Sequence, residues 1–430
     1  MAVGGSREHA FAGSGASASE GVPRKRRILF IAEAVTLAHV ARPLALARML
    51  DPAGYDVTIA CDPRYDALLG PSEYKRLVIH SISSEQFLKS LAGGSRLYGR
   101  ETLASYVKAD LRLIEECQPD VIIGDFRLSL SISARVARKP YITITNAYWS
   151  PHARPRFTVP ELPLLKFTGV KLGQQVFNLV RPMAFRYHAL PLNQLRKQYG
   201  LPPLGLDLGR VYTDADYTLY ADIPQLVPTY DLPDTHHYIG PTPWSPAGPL
   251  PDWWGTLPKD RPIIYVTLGS SGYGSLLPLV LQALAGVPVT VIAASAGRNR
   301  PNKIPSNAFV TDYLPGEQAA RRAALVICNG GSLTCYQAFA HGKPVIGMPG
   351  NLDQYLNMHY IQAAGAGRMI RAGTATAAQV AESVRQILEN PGYAAKTKGL
   401  MEAISACPSQ SRFDEMLERA YRGSYAGAKK

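Results

Sequence analysis

Apolar residues in this chain fall into short continuous runs separated by longer amphipathic stretches. That rhythm predicts parallel strands alternating with helices. The first run, Arg27-Ile28-Leu29-Phe30-Ile31-Ala32, suits a strand buried on both faces. A helical stretch follows, with Val40, Leu44, Leu46, Ala47 and Leu50 on one inward stripe. Further strands are predicted at 56–60, 120–124 and 141–145. After residue 262 the alternation restarts, with strands at 263–268, 289–293, 308–310, 325–328 and 344–348. Helices are predicted at 375–388 and 394–422. Strands regularly alternating with helices give the doubly wound α/β class.

Two passages interrupt the rhythm. Residues 151–210 carry many prolines, arginines and aromatics, including an amphipathic stretch at 164–198 that Pro182 and Pro191 should kink or divide. Packing as a helical cap is its simplest reading; its apolar and basic composition also suits a membrane surface. From Pro224 to Pro262 proline is dense, which is linker composition. The expected organisation is a disordered tail at 1–23, a Rossmann-like domain at 24–230 and a linker at 231–260. A second Rossmann-like domain follows at 261–405. A C-terminal helix and tail at 406–430 could pack back on the first domain. A chain of 430 residues exceeds the roughly 250–300 that one core sustains, so two domains fit its length.

Composition narrows the classes. Hydrophobic residues at 46% and charged residues at 18% describe an ordinary globular chain, and no segment is apolar for the length of a membrane span. The net charge of +13 suits anionic partners such as phosphorylated ligands or acidic membranes. Nothing with it resembles a zinc spacing or an RNA-binding sheet motif, so nucleic acid is not expected. Cys61, Cys117, Cys328, Cys335 and Cys407 are odd in number and form no CxxC pair, pointing to free thiols in a reducing compartment. The first 22 residues lack the apolar core of a signal peptide. A cytoplasmic location follows, with peripheral membrane contact left open.

The richest chemistry lies at 313–357. A strand ending at Cys328 runs into Asn329-Gly330-Gly331-Ser332 and then a helical segment with Thr334. A glycine turn leading into a helix aims backbone N–H groups and the positive helix end at one point, a geometry suited to phosphates. This passage resembles the donor signature of family 1 glycosyltransferases, the group holding UDP-dependent and antibiotic glycosyltransferases. Tyr313 and Pro315 match its nucleobase-side opening, and Gly330, Gly331, Ser332 and Thr334 its diphosphate turn. Asp353-Gln354 matches the pair that binds the donor sugar, with Asn357 close behind. Gly269-Ser270 matches the family's strand-end Gly-Ser. Two positions depart from the pattern: the usual diphosphate His is Asn329, and the ribose-gripping Glu is Gln337. A neutral Gln accepts more weakly than a carboxylate.

The resemblance implies a GT-B fold, two Rossmann-like domains facing an interdomain cleft. It also places a catalytic His in the loop after the first strand, where His39 stands with Pro43 behind it. Deprotonating a hydroxyl needs a base that works near neutral pH, and His is the side chain suited to that. Asp125, closing the strand at 120–124, matches the family's His-orienting Asp; Glu33 is a reserve acid near His39. Tyr148 and Trp149, after another strand, suit a flat or greasy acceptor.

The expected activity is metal-independent, inverting transfer from a UDP- or TDP-linked sugar to a hydroxyl of a small apolar or aromatic acceptor, with no cofactor. The alternatives are a glycolipid transferase at a membrane surface and a non-catalytic nucleotide-sugar-binding protein. Asp214-Ala215-Asp216 has the spacing of a metal pair but lies in a peripheral segment and reads as structural.

Overall fold

The computed structural model describes residues 1, 24–246, 248–269, 272–297 and 301–427, with side chains to 422. The tail expected at 1–23 lies outside the described residues from position 2 onward.

Two parallel sheets organise the chain. The first holds seven strands: β1 (Arg26–Ala32), β2 (Tyr55–Cys61), β3 (Lys75–Val78), β4 (Val121–Asp125), β5 (Tyr141–Thr145), β6 (Tyr217–Tyr220) and β7 (His236–Tyr238), ordered β3-β2-β1-β4-β5-β6-β7. The second holds β8 (Ile263–Thr267), β9 (Thr290–Ala294), β10 (Ala308–Thr311), β11 (Leu325–Cys328), β12 (Val345–Gly347) and β13 (Gly367–Met369), ordered β10-β9-β8-β11-β12-β13. The central strands are buried along most of their length, which accounts for their unbroken apolar runs. Each sheet winds outward in both directions from its first strand.

The proline-rich passage is more than a linker. His236–Tyr238 forms β7, which pairs with β6, and Ile239 and Trp244 enter the core of the first sheet. The long helix Leu165–Gln198 stays helical through Pro182 and Pro191; its break falls at Gly169, where φ is +68°. Pro191 is buried among Ala189, Leu192 and Leu195, so packing holds the helix where hydrogen bonds are lost. Asp214 pairs with Arg135 and Arg196 at 2.9 Å each, and Asp216 accepts the Tyr141 amide; both are structural. Among the described residues, no helix is long and apolar enough to cross a membrane.

The C-terminal helix Ser409–Gly427 returns to the first domain. Its Phe413, Met416, Leu417 and Ala420 join Val40, Leu44 and Ile123 in the core on one face of the first sheet. Arg412 donates to the Tyr238 carbonyl at 3.0 Å, anchoring the helix beside β7. Phe413 is fully buried. Replacing it with Ala should therefore cost about 3–5 kcal/mol of stability, read as a lowered denaturation midpoint; a change under about 1 kcal/mol would contradict this packing.

Candidate active site

Both sheets reverse their winding between the first and fourth of their own strands, at β1/β4 and at β8/β11. Such reversals open crevices beyond the strand ends. A cleft of about 1240 Å³ lies between the domains, lined by His39, Asp125 and Asn146 on one side and Gly269, Asn329 and Ser332 on the other.

His39 sits in the first turn of the helix Leu37–Ala47, directly after β1. Asp125 ends β4, and Ala32 and Asp125 are register partners. The pairing brings the helix start over the carboxylate. His39 Nδ1 stands 2.7 Å from Asp125 Oδ1. A carboxylate can only accept, so Nδ1 carries a hydrogen toward Asp125; in the neutral ring that tautomer leaves the lone pair on Nε2. The Phe126 ring stacks on the imidazole at 4.7 Å. Phe126 adopts φ +56°, a left-handed conformation that a bulky residue rarely takes, and this turns its ring back beneath His39.

Arg42 completes the group. Its Nε donates to Asp125 Oδ2 and its Nη2 to Asp125 Oδ1, each at 2.8 Å, while Nη1 donates to Asn146 Oδ1 at 2.8 Å. Burial pulls the guanidinium pKa down, but the Asp125 charge outweighs it and leaves the value raised. Asn146 Nδ2 reaches both Asp222 and Ser332 Oγ at 3.1 Å, so the network crosses the cleft. Asp222 is fully buried, and that burial raises its carboxyl pKa.

A run of aromatic rings leads the other way. Phe126 meets Tyr212 at 5.4 Å, and Tyr212 meets Trp149 edge-on at 5.0 Å. Trp149 Nε1 then donates to Asp353 Oδ1 at 2.8 Å. Tyr148 is buried beside it; burial, then the Asp353 charge, push its phenol well above the ordinary value. Beyond these rings, Phe87, Leu91, Leu97, Phe177, Val180 and Phe185 line an apolar end of the cleft.

Facing His39's domain, the helix Ser332–Phe339 starts at Gly331, which has no side chain to cap it. The leading N–H groups of a helix lack intrahelical acceptors, so this start is suited to an anion. Asn329 Oδ1 accepts the Gly331 amide at 3.0 Å and shapes the turn. Gly330 takes φ +82°, and a Cβ there would lie 2.6 Å from Met358 Cγ, so only glycine fits. Asn357 Nδ2 donates to the Gly330 carbonyl at 2.8 Å, which explains an Asn at that position.

Several expected residues sit differently from their sequence reading. Glu33 is fully buried and does not line the cleft: Arg127 Nη1 pairs with it at 2.8 Å, and the Tyr106 hydroxyl donates at 2.9 Å. It holds the first domain together and is too enclosed to meet an acceptor. Pro315 is buried as the N-cap of the helix Gly316–Arg322, while half-exposed Tyr313 and buried Leu314 line the cleft. Gly330 likewise packs inward on Met358; Gly331, Ser332 and Thr334 face the space. Gln337 lines the cleft, yet its amide donates to the Trp244 carbonyl and to Ser245 Oγ. Gln354 Oε1 accepts the Gly350 amide at 2.9 Å and completes a capping box with Asn351. Gly269 lines the cleft at φ +65°; Ser270 lies outside the described residues.

Sequence reasoning missed Arg42, Phe126, Asn146 and Asp222. Arg42 had a legible signal: a charged residue three positions after His39, among the buried Val40, Ala41, Pro43 and Leu44.

Residues 278–419 match the family described as erythromycin biosynthesis protein CIII-like, C-terminal domain. The chain is 52% identical over 406 residues to a PGL/p-HBAD biosynthesis glycosyltransferase of Mycobacterium tuberculosis, covering 94% of each. It is also 52% identical over 399 residues to a PGL/p-HBAD biosynthesis rhamnosyltransferase of Mycobacterium bovis, covering 93% of this chain and 88% of that protein. Among solved structures, spinosyn rhamnosyltransferase SpnG superposes with a TM-score of 0.67 at 20% identity, over 91% of this chain and all of that one.

Arg42 is the one cation bonded to both Asp125 oxygens among the described residues. Arg42→Met would leave a buried carboxylate without its ion pair. A stability loss of about 3–5 kcal/mol is expected, measured by chemical denaturation; a loss below about 1 kcal/mol would show the pair to be dispensable.

Proposed function

The chain belongs to the family 1 glycosyltransferases of GT-B fold, and from that membership we propose an inverting rhamnosyl transfer in which His39 is the base. The family uses nucleotide-sugar donors; the sugar, the base and the acceptor class are the proposal. One observation carries it: His39, bonded to the buried Asp125 at 2.7 Å, lines the same cleft as the uncapped helix start at Ser332.

The step balances as a single displacement. The acceptor hydroxyl gives its proton to His39 Nε2 while its oxygen forms a bond to the anomeric carbon. The bond from that carbon to the diphosphate oxygen breaks, and the electron pair leaves with the nucleoside diphosphate. Attack from the face opposite the leaving group inverts the anomeric centre. Charge growing on the diphosphate meets the amides of Ser332 and Leu333 and the Thr334 hydroxyl, all oriented before the reaction begins. Asp125 fixes the imidazole tautomer and steadies the imidazolium that forms, with Phe126 holding the ring plane.

For the donor, the rhamnosyltransferase relatives and the thymidine diphosphate complex of the spinosyn enzyme support a TDP-linked deoxyhexose as first choice. Tyr313 and Leu314 offer a nucleobase platform, and Asp353 a sugar contact. For the acceptor, the apolar end beyond Trp149 favours an aromatic or alkyl body with its hydroxyl near His39.

His39→Ala is expected to lower transfer by about 10²–10⁴-fold while the thermal shift produced by the nucleoside diphosphate stays as in the wild type. Near-normal transfer by the variant would refute the base assignment. Screening TDP-, UDP- and GDP-sugars by thermal shift should single out the donor, since a ligand bound only by the native state raises its stability.

A further inference from the structure

The long helix Leu165–Gln198 has two apolar faces with different surroundings. Phe177, Val180, Ala184 and Phe185 line the cleft. About half a turn away, Leu172, Leu179 and Met183 repeat at intervals of seven and four residues, so they form one outward stripe. Their exposures are 51%, 79% and 72%, and Phe167, just before the Gly169 break, is 88% exposed. Large side chains exposed in a row mark a surface that meets another apolar phase.

Charge decides what that phase is. The stretch 162–206 contains no Asp or Glu, yet holds Lys166, Lys171, Arg181, Arg186, Arg196 and Lys197. Arg181 is engaged over the Phe157 ring at 4.1 Å, and Arg196 pairs with Asp214 at 2.9 Å. Of the other four, Lys166, Lys171 and Arg186 flank the outward stripe, and exposed Lys197 lies at the far end of the helix. A second copy of the chain would set these cations against their own kind. An anionic lipid surface matches both features, taking the apolar stripe among its acyl chains and the cations at its headgroups.

We infer that the outer face of this helix docks the enzyme on an anionic lipid bilayer. The inner face of the same helix forms the apolar end of the cleft, so docking sets that end beside the lipid. An acceptor with an acyl or aromatic tail passes from the bilayer along Phe177 and Val180 without crossing water. The surface goes beyond the transfer chemistry: it is tested without acceptor or donor, and its failure leaves the role of His39 untouched.

The test is flotation of the full chain with vesicles of phosphatidylcholine and phosphatidylglycerol, against vesicles of phosphatidylcholine alone. Wild type is expected to float with the anionic vesicles and to be released by salt. Two variants address the surface: Leu172→Asp/Leu179→Asp/Met183→Asp removes the stripe, and Lys166→Glu/Lys171→Glu/Arg186→Glu reverses the charge. Each should weaken binding more than tenfold, on the scale of about fivefold per lost cation. Melting temperature and the nucleoside diphosphate thermal shift should be unchanged, because none of these side chains lines the cleft. Wild type that stays with the sedimenting protein, or variants that float as well as wild type, would overturn the inference. So would a wild-type dimer that the stripe variant converts to monomer.

Discussion

Asp125 is a carboxylate with no solvent contact, and the arrangement around it follows from that. A buried charge persists only with partners on both oxygens. Arg42 supplies two bonds and His39 a third. Both partners stand on the helix after β1, and Arg42 also reaches the loop after β5 through Asn146. From Asn146 the chain of bonds reaches Asp222 after β6 and Ser332 across the cleft. One guanidinium thus stands among Asp125, Asp222 and the histidine. Asp125 thus divides its bonding between Arg42 and His39, and the imidazole is held in one orientation.

The turn after β11 obeys a steric rule more than an electrostatic one. Gly330, Met358 and Asn357 pack so closely that the turn has one backbone path. Cys328 and Cys335 lie beneath it, their sulfurs 3.7 Å apart and buried, as small apolar fillers. The departures at Asn329 and Gln337 acquire a structural meaning. Asn329 closes the turn on the Gly331 amide, and Gln337 ties the helix to the segment at Trp244 and Ser245. Both are spent at least in part on holding the protein's own backbone.

The central strands were legible because burial on both faces leaves an unbroken apolar run, as in β1, β4, β8 and β11. The edges were not. β3 reads Lys-Arg-Leu-Val and β7 reads His-His-Tyr, short and polar as peripheral strands are, and β13 carries an Arg. Proline density near β7 suggested a linker, although three residues between prolines suffice to pair with a neighbour. His39 and Asp125 could be placed from strand ends, because a parallel sheet with β1 beside β4 brings those ends together. Phe126 and Asn146 could not: their roles depend on a backbone φ and on an interdomain contact, neither written locally. Glu33 misled for a similar reason, since its position after β1 says nothing of Arg127 arriving from the loop after β4.

The segment just before the long helix is clasped by the other domain. Arg371 pairs with Glu161 at 2.7 Å and donates to the Val159 carbonyl, the Tyr355 hydroxyl donates to Glu161 at 2.6 Å, and the Glu161 amide bonds to Gly350. Only a few residues separate this clasp from Leu165. The helix is therefore anchored at its start to the second domain, although its length packs on the first. Any shift of the helix is thus coupled, through this clasp, to the domain that carries the turn at Gly331 and Ser332.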